Sequence, residues 1–357
     1  MKVLQILPTL SFGDAVGNDT LAIKNILKER GYETQIYAEN IDQRLPKGSA
    51  ISFEKIEYIK SDDIVIYHLS TGSKINHWIK TIKCKKICIY HNITPPHFFR
   101  DYSANLTQLC ENGLQEVKDL KDTFDCVWVD SEFNKQDLIK MGYHCPIKVL
   151  PILIAFEDYK KQPNKKILSK YNDEYVNILF LGRVAPNKKQ EDVIRAFDCY
   201  NKNYNSKSRL FLVGSYRGME NYYARLKEYV KRINNSNIYF TGQIKFDEIL
   251  AFYELANVFL CMSEHEGFCV PLVEAMYFNT PIVAYDSCAI KYTLGGSGIL
   301  LDNKNPMETA GVINYLINDE LLNNTIVKNQ RERLADFDNK KIEKLFMSYL
   351  EEFIQGV

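Results

Sequence analysis

Short apolar runs alternate with longer amphipathic stretches along the chain, and this pattern predicts strands alternating with helices. The first run, residues 2–7, has the length of a strand buried in a parallel sheet. The next stretch predicts a helix that Asn18 or Asp19 caps and Gly31 ends. A second strand follows at 33–38. This βαβ order indicates the start of a doubly wound sheet.

The alternation runs in two series separated by a polar stretch. Residues 157–172 are polar, basic and contain a proline, and we predict that they form a linker. Strands are predicted before it at 63–67, 86–90, 126–129 and 147–150, and after it at 176–181, 209–213, 238–241, 258–261, 281–285 and 298–301. Helices are predicted between the strands, and two more close the chain at 306–318 and 339–354. The fold class is therefore α/β, with two Rossmann-like domains in tandem.

Composition narrows the function classes. The 357 residues carry 45 basic and 45 acidic side chains, and this balance argues against a dedicated nucleic-acid binder. Nine cysteines form no C-x-x-C pair and no cluster with histidine, so we expect reduced thiols and no bound metal. The N-terminal apolar run is too short for a secretory signal, and no run approaches the ~18 apolar residues of a membrane span. We expect a cytoplasmic protein, with peripheral membrane contact left open.

Residues 263–276 contain the most informative motif. A strand at 258–261 leads into it, Gly267 loosens the backbone, and Pro271 suits the first turn of a helix. Glu266 and Glu274 therefore lie on either side of a helix N-terminus, where backbone N–H groups favour an anionic ligand. Two carboxylates ~5–9.5 Å apart could hydrolyse a glycosidic bond. We favour hydrogen bonds to ribose or sugar hydroxyls, because the acid on the helix points along a ligand.

Three further loops follow predicted strands. Arg183 with Lys188 or Lys189 would suit a diphosphate, although a solvated basic loop is the alternative. His91 could hydrogen-bond a sugar hydroxyl, although a histidine at a strand end is more often structural. The first turn, with Gly13 and Gly17, lacks the G-x-G-x-x-G of a dinucleotide site, which makes a dehydrogenase the least favoured reading. It could still contact phosphate, or be a turn that needs small residues.

Together these motifs resemble the retaining glycosyltransferases of family 4, which have the GT-B fold. Residues 263–276 are similar to the family's S-x-x-E-G-F-G-x-P-x-x-E-A signature, with Cys269 in place of a glycine. The resemblance is supported by residues 181–183 with Lys188, and by 130–134, 212–214 and 240–242. It implies two Rossmann-like domains that face a cleft. The acceptor-side domain would be 1–156, with the last helix, about 340–357, packing back on it, and the donor domain would be 173–339.

The resemblance also implies roles for individual residues. Glu274 would bind the donor ribose, and Arg183 with Lys188 would hold the diphosphate. His91 and Glu266 would be catalytic and lie beside the donor sugar. The remaining contacts would come from the first turn and from backbone groups around the sugar and the nucleobase, at Gly13, Gly17, Ile244, Gly267, Phe268, Cys269 and Val270.

The implied activity is transfer of a hexose from a nucleotide diphosphate sugar to an acceptor hydroxyl, with retention and without a metal or other cofactor. Residues 13–19, 90–95 and 185–192 look similar to bacterial surface-polysaccharide transferases, several of which use GDP-mannose. GDP-mannose or a UDP-hexose is thus the expected donor. The expected acceptor is a glycan or lipid-linked glycan, in polysaccharide, lipopolysaccharide or glycolipid synthesis. The alternatives are a nucleotide-sugar 2-epimerase and a non-catalytic nucleotide-sugar-binding subunit.

Overall fold

A computed structural model describes residues 1–356. The chain forms two compact units, and each is described by itself. The first contains residues 1–97, 105–155 and the chain from 337 onward, and the second contains 98–104 and 156–336. None of the helices in residues 1–356 combines the length and the apolar character needed to cross a membrane.

The first unit is built on a seven-stranded parallel sheet in the order β3-β2-β1-β4-β5-β6-β7. Its strands are β1 (Val3–Leu10), β2 (Thr34–Ile41), β3 (Ile51–Ser52), β4 (Ile64–Leu69), β5 (Lys85–Tyr90), β6 (Cys126–Val129) and β7 (Ile147–Val149). The helices between them are α1 (Ala15–Glu29), α2 (Lys74–Trp78), α3 (Ala104–Asp119) and α4 (Glu132–Lys140). Every residue of β4 and β6 is buried, as expected for central strands covered on both faces.

The second unit has a six-stranded parallel sheet in the order β10-β9-β8-β11-β12-β13. Its strands are β8 (Val176–Leu181), β9 (Ser208–Val213), β10 (Ile238–Gly242), β11 (Val258–Cys261), β12 (Ile282–Tyr285) and β13 (Ile299–Leu301). Its helices are α5 (Lys165–Tyr171), α6 (Gln190–Asn203), α7 (Glu220–Ile233), α8 (Phe246–Leu255), α9 (Val270–Tyr277), α10 (Ile290–Leu294), α11 (Pro306–Asn318) and α12 (Glu320–Leu334). The predicted α/β class with two Rossmann-like sheets is confirmed.

The last helix, α13 (Asn339–Gln355), belongs to the first unit. Its apolar face is buried against the sheet, and the ring of Phe346 meets the ring of Trp128 edge-on at 5.5 Å. The helix is tied at its start, where Asn339 Nδ2 donates to Ile154 O at 2.7 Å. The apolar side chains of residues 339–355 therefore pack into a core formed by the first half of the chain.

Helix α1 begins earlier than its sequence predicts. The side chain of Asp14 caps it by accepting the Gly17 N–H at 2.6 Å, so the predicted caps Asn18 and Asp19 lie inside the helix. Asp19 is buried instead, and its Oδ1 accepts the backbone N–H of Leu153 at 2.9 Å. A short polar side chain can cap a helix wherever the turn presents free N–H groups. Asp14, Asn18 and Asp19 are all suitable residue types, so the sequence alone did not decide where the helix begins.

The predicted linker at 157–172 is largely ordered structure within the second unit. Residues Phe156–Lys160 form a 3-10 helix, and α5 follows after a few residues. Tyr159 packs among the rings of Phe246, Tyr277 and Phe278. Most of this stretch is polar, and its overall composition therefore predicted a linker. Its few aromatic residues pack against the second unit and order it.

Candidate functional site

The candidate site of the second unit is built from two loops at one edge of its sheet. β8 and β11 are hydrogen-bonded parallel neighbours, so the loops that follow them leave the sheet side by side. Asn187 joins these loops: its backbone oxygen accepts the Glu264 N–H at 2.8 Å, and its Nδ2 donates to His265 O at 3.1 Å. Asn187 is 6% exposed, so both hydrogen bonds are protected from water.

Lys188 and Glu266 form an ion pair across the two loops. Lys188 Nζ lies 2.5 Å from both carboxylate oxygens of Glu266. The side chain of Glu266 is 8% exposed and that of Lys188 is 22% exposed. Burial by itself would lower the pKa of Lys188, but the charge and the hydrogen bonds of Glu266, together with smaller contributions from nearby groups, raise the pKa. The lysine therefore keeps its charge at neutral pH, and the pair remains accessible from the lysine side.

Glu274 lies on α9 and has a hydroxyl group on each oxygen. Tyr159 donates to its Oε1 at 2.8 Å and Tyr253 donates to its Oε2 at 2.7 Å. Burial raises the pKa of Glu274, and the two phenol hydrogen bonds only partly offset that effect. A ribose diol would also place one hydroxyl on each oxygen of a carboxylate. The two tyrosine hydroxyls therefore show that Glu274 can accept two hydrogen bonds in the arrangement that a diol requires.

The loop of residues 267–270 leads directly into the N-terminus of α9. Cys269 is the N-cap residue, with left-handed backbone angles (φ 73°, ψ 66°) and without a capping hydrogen bond from its side chain. The first turn of α9 carries no acidic side chain. The hydroxyl of Thr293 holds the loop by donating to Phe268 O. The positive end of the α9 dipole therefore lies close to Glu266, without an acidic side chain from the first turn of the helix itself.

A second set of charges stands beside the pair. Lys304 Nζ lies 2.7 Å from Glu264 Oε1, and Lys189 Nζ lies 3.2 Å from Glu264 Oε2. Burial would raise the pKa of Glu264, but these two lysines outweigh it and the pKa is lowered. Glu264 thus stays charged and fixes the two lysines near Lys188.

Arg183 lies in the same loop after β8 as Lys188, and Ile244 follows a different strand of the same unit. Arg183 is exposed one residue beyond Gly182, after β8, and its backbone oxygen accepts from Gln190 at 3.0 Å. Ile244 is half-buried and follows β10. Next to it, a cavity of about 480 Å³ is lined by residues 215–217, 220, 223 and 240–243.

In the first unit, His91 is part of a closed hydrogen-bond chain. Thr20 O can only accept, so Gln5 Nε2 donates to it at 3.1 Å, and Gln5 Oε1 is left to accept from His68 Nε2 at 3.0 Å. With neutral His68, its Nδ1 accepts from His91 Nε2 at 3.0 Å. His91 Nδ1 then donates to Asp130 Oδ2 at 3.0 Å. Both nitrogens of His91 are donors in this assignment, which makes it an imidazolium paired with a carboxylate.

The pKa directions agree with this assignment. Burial lowers the pKa of His68 well below its ordinary value, and the nearby His91 lowers it further. Burial would also lower the pKa of His91, but Asp130 outweighs it and the pKa is raised. The side chain of His91 is only 2% exposed. The predicted catalytic histidine is therefore enclosed within the first unit, with both ring nitrogens engaged.

The two glycines of the first turn have different structural roles. Gly13 has a positive φ of 76° just before α1, with open space around its Cα. A side chain at Gly17 would start 2.4 Å from Ser11 O, so only glycine fits there. The Gly17 N–H is used by the cap on Asp14. This turn needs small residues for its own geometry, and its contact with phosphate stays a prediction.

The predicted residues thus fall into groups within each unit. Lys188, Glu266 and residues 267–270 come together at one sheet edge, with Glu274 on the helix that follows. Several residues of this site carried no recognisable signal in the sequence. Tyr159 lies in the predicted linker, Tyr253 lies in the middle of a helix, and Lys304 lies far along the chain. Asn187 lies beside Lys188 in the loop after β8. Its polar side chain at that position was the only feature of the sequence that pointed to a role in the site.

Part of the chain matches a known family model. Residues 160–333 match the model described as glycosyl transferases group 1. This range covers nearly all of the second unit, including Lys188, Glu266 and Glu274.

Curated relatives match at moderate identity. An uncharacterized glycosyltransferase of Methanocaldococcus jannaschii is 28% identical over 195 residues, which are 54% of this chain and 48% of that protein. A capsular polysaccharide biosynthesis glycosyltransferase of Staphylococcus aureus is 28% identical over 211 residues, 56% of this chain and 53% of that protein. A serotype-specific mannosyltransferase of Escherichia coli is 23% identical over 248 residues, 66% of this chain and 29% of that protein. The chain spans about half the length of the first two of these relatives.

Solved structures share the fold. Sucrose-phosphate synthase from Thermosynechococcus elongatus aligns with a TM-score of 0.78 at 17% identity, over 100% of both chains. Anabaena HepE, solved in complex with UDP and glucose, aligns with a TM-score of 0.76 at 17% identity, over 99% of this chain and 100% of that one. These likenesses establish the GT-B fold of the chain.

Proposed function

Residues 160–333 of this chain match the glycosyl transferases group 1 family, and we propose that the chain is a member of it that transfers a hexose from a nucleotide diphosphate sugar to an acceptor hydroxyl. GDP-mannose and UDP-hexoses are the proposed donors. The mannosyltransferases among its relatives support the first and the UDP-bound HepE structure supports the second. The observation that carries the proposal is the grouping of Lys188, Glu266 and the N-terminus of α9 at one sheet edge, with Glu274 on the same helix.

The proposed chemistry uses this grouping to stabilise a leaving diphosphate. Lys188 and the N-terminus of α9 supply positive charge, and exposed Arg183 adds a planar donor group. Fixed charges directed at the oxygen on which negative charge develops lower the barrier without reorganisation during the reaction. We propose that no metal ion is needed for this step. Transfer in the presence of a chelator that removes divalent cations tests it, and loss of activity would refute it.

Glu266 is proposed to orient the donor sugar and not to attack it. Its carboxylate is held by Lys188 at 2.5 Å on both oxygens, which reduces its strength as a nucleophile. Retention would then follow from attack by the acceptor on the face that the diphosphate leaves, with the departing phosphate taking the acceptor's proton. The anomeric configuration of the product, read by NMR coupling constants, tests this point, and an inverted product would overturn it.

Glu274 is proposed to bind the ribose of the donor. A thermal-shift screen against UDP-, GDP- and ADP-sugars should single out the donor, because a ligand that binds only the folded state raises its apparent stability. Glu274→Gln should weaken the best ligand by roughly tenfold or more, since a charge-assisted hydrogen bond is lost. Glu191→Gln is the matched control, because Glu191 also accepts a tyrosine hydroxyl, from Tyr222.

The outcomes of the screen separate the competing functions. Nucleotide released only when an acceptor is present supports transfer, whereas conversion of the sugar at C2 without an acceptor would show an epimerase. Binding without turnover would show a non-catalytic subunit. The acceptor is proposed to be a glycan or a lipid-linked glycan, because the curated relatives include a capsular polysaccharide enzyme. Radiolabel transfer to membrane lipid extracts, compared with transfer to soluble oligosaccharides, tests the acceptor class and any peripheral membrane contact.

A further inference from the structure

Two thiols and the Glu266 carboxylate form a compact buried cluster next to the Lys188 pair. One ligand atom each from Cys261, Glu266 and Cys269 lies within 4.8 Å of the other two. Cys261 ends β11, Cys269 caps α9, and Glu266 lies in the loop between them. Their exposed fractions are 1%, 8% and 7% for Cys261, Cys269 and Glu266. The strand, loop and helix start therefore bring three potential metal ligands to one point.

The backbone at Cys269 adds a second observation. Its φ of 73° lies in the left-handed region, which a residue with a Cβ adopts only at an energetic cost. Glycine would occupy this position without that cost. The chain instead keeps a thiol there, facing a second thiol, and such local strain is retained where the surroundings hold it for a function.

We infer that Cys261, Cys269 and Glu266 form a binding site for a thiophilic divalent cation such as Zn²⁺, and that this cation competes with the donor sugar for Glu266. Zinc binds thiolates at about 2.3 Å and carboxylate oxygens at about 2.0–2.2 Å in a tetrahedron. These bond lengths place ligand atoms about 3.5–3.8 Å apart. The cluster therefore has to contract by at most about 1.3 Å, and the fourth position stays open for water.

Charge also favours this occupant. Both thiols lose a proton to solvent when a cation binds, so the ligand set carries three negative charges. A divalent cation and the Lys188 ammonium together balance them. Mg²⁺ and Ca²⁺ are disfavoured, because these ions require oxygen ligands.

A second cluster in the first unit provides an internal contrast. Atoms of Asp19, His68 and His91 also lie within 4.8 Å of one another. There, both ring nitrogens of each histidine and Oδ1 of Asp19 already have protein partners. A cation would have to break several hydrogen bonds in that cluster. At Cys261 and Cys269 it would displace weak thiol contacts, such as the one from Cys261 Sγ to Ser263 Oγ at 3.4 Å. At Glu266 it would take one carboxylate oxygen from Lys188 and leave the other in the ion pair.

The binding test uses the full chain and Zn²⁺ alone. Titration against a chromophoric chelator should give one site per chain, and Cd²⁺ in its place should give the ultraviolet charge-transfer band of thiolate ligands. Cys269→Gly and Cys261→Ala should each weaken the affinity at least tenfold. Cys269→Gly removes backbone strain, so loss of folding is not expected. Cys199→Ser, a half-buried thiol on α6, is the matched control and should change nothing.

Two binding results would overturn the site. One is an affinity for Zn²⁺ that survives in the Cys261→Ala, Cys269→Gly double variant, which would place the metal elsewhere. The other is the absence of a thiolate charge-transfer band with Cd²⁺.

The proposed competition between Zn²⁺ and the donor sugar for Glu266 rests on the proposed function, whereas the binding of Zn²⁺ does not. Zn²⁺ should raise the apparent Kd of the nucleotide sugar at least tenfold in the natural protein and leave it unchanged in Cys269→Gly. Thiolate-bound metal with no effect on donor affinity would overturn the competition while the metal site stands. If no nucleotide sugar binds at all, the proposed function fails, and the titration with Zn²⁺ alone still decides the site.

Discussion

The two units use buried charge in different ways. In the first, His91 and Asp130 close a chain of side chains, and both are at most 3% exposed. In the second, Glu266 is buried while its partner Lys188 remains 22% exposed at a loop. An ion pair that is enclosed in protein keeps its partner, whereas a pair with one accessible member can exchange its partner for a ligand. The catalytic role of His91 and the ligand contacts of Lys188 and Glu266 stay predictions, which this comparison makes testable.

Removing the imidazole of His91 should have the largest effect. His91→Phe leaves the Asp130 carboxylate buried without its partner, and we expect a loss of about 3–5 kcal/mol of unfolding free energy. The chain's two tryptophans, Trp78 and Trp128, both lie in the first unit, so their fluorescence in urea reports the unfolding of that unit. His144→Phe, at an exposed position, is the control. Equal shifts for the two variants would contradict the assigned role of His91.

Breaking the pair in the second unit should affect activity instead. Lys188→Met is expected to lower kcat/KM for transfer by about 10²–10³-fold, the usual cost of losing one fixed transition-state donor. Its effect on the tryptophan-monitored transition should be small. Lys202→Met, which removes a surface ion pair with Asp198 in the same unit, is the matched control. A loss of less than threefold with Lys188→Met would exclude this lysine from the chemistry.

The pH dependence of stability should identify Asp19 in the first unit. Burial raises the pKa of Asp19 to about 7 from 3.8, so the folded protein holds a proton that the unfolded chain releases. Stability from this group is complete below about pH 4, falls as the pH rises toward 7, and is constant above that. The amide in Asp19→Asn does not ionise. Between about pH 4 and pH 7, the unfolding free energy of this variant should therefore rise by on the order of 2–4 kcal/mol relative to that of the natural protein. A pH-independent difference in the urea midpoints would show that Asp19 titrates normally.

The smallest predicted effect concerns Tyr159. Its hydroxyl occupies Glu274 Oε1, where a ribose hydroxyl is proposed to bind, so Tyr159→Phe should tighten binding of the donor nucleotide by roughly two- to tenfold. Calorimetry should show no such gain for a nucleotide whose ribose lacks both hydroxyls. Tyr222→Phe, which removes the phenol that donates to Glu191, is the control. Weaker binding by Tyr159→Phe would mean that this tyrosine orients the acid and does not compete for it.

The periodicity of the chain determined most of the fold. All the principal strands were predicted within a few residues, because continuous apolar runs are unambiguous in a parallel sheet buried on both faces. Short edge elements were missed, including β3 with two residues and α10 with five. Helix α12 was also missed: of its residues, Ile326 and Gln330 are buried, so its sequence shows little amphipathic pattern.

The sequence by itself also determined the grouping around Glu266. Strand, loop and helix follow each other without interruption from 258 to 277, so chain connectivity places the glutamates and the helix N-terminus together. Tertiary structure alone decided their partners. Lys188 reaches Glu266 across 78 positions, and Tyr159 reaches Glu274 across 115. It also decided that His91 is enclosed, because Gln5, His68 and Asp130 come from three other strands or strand ends. Local periodicity encodes which residues are buried, but a partner contributed by a distant strand is fixed only when the sheet is assembled.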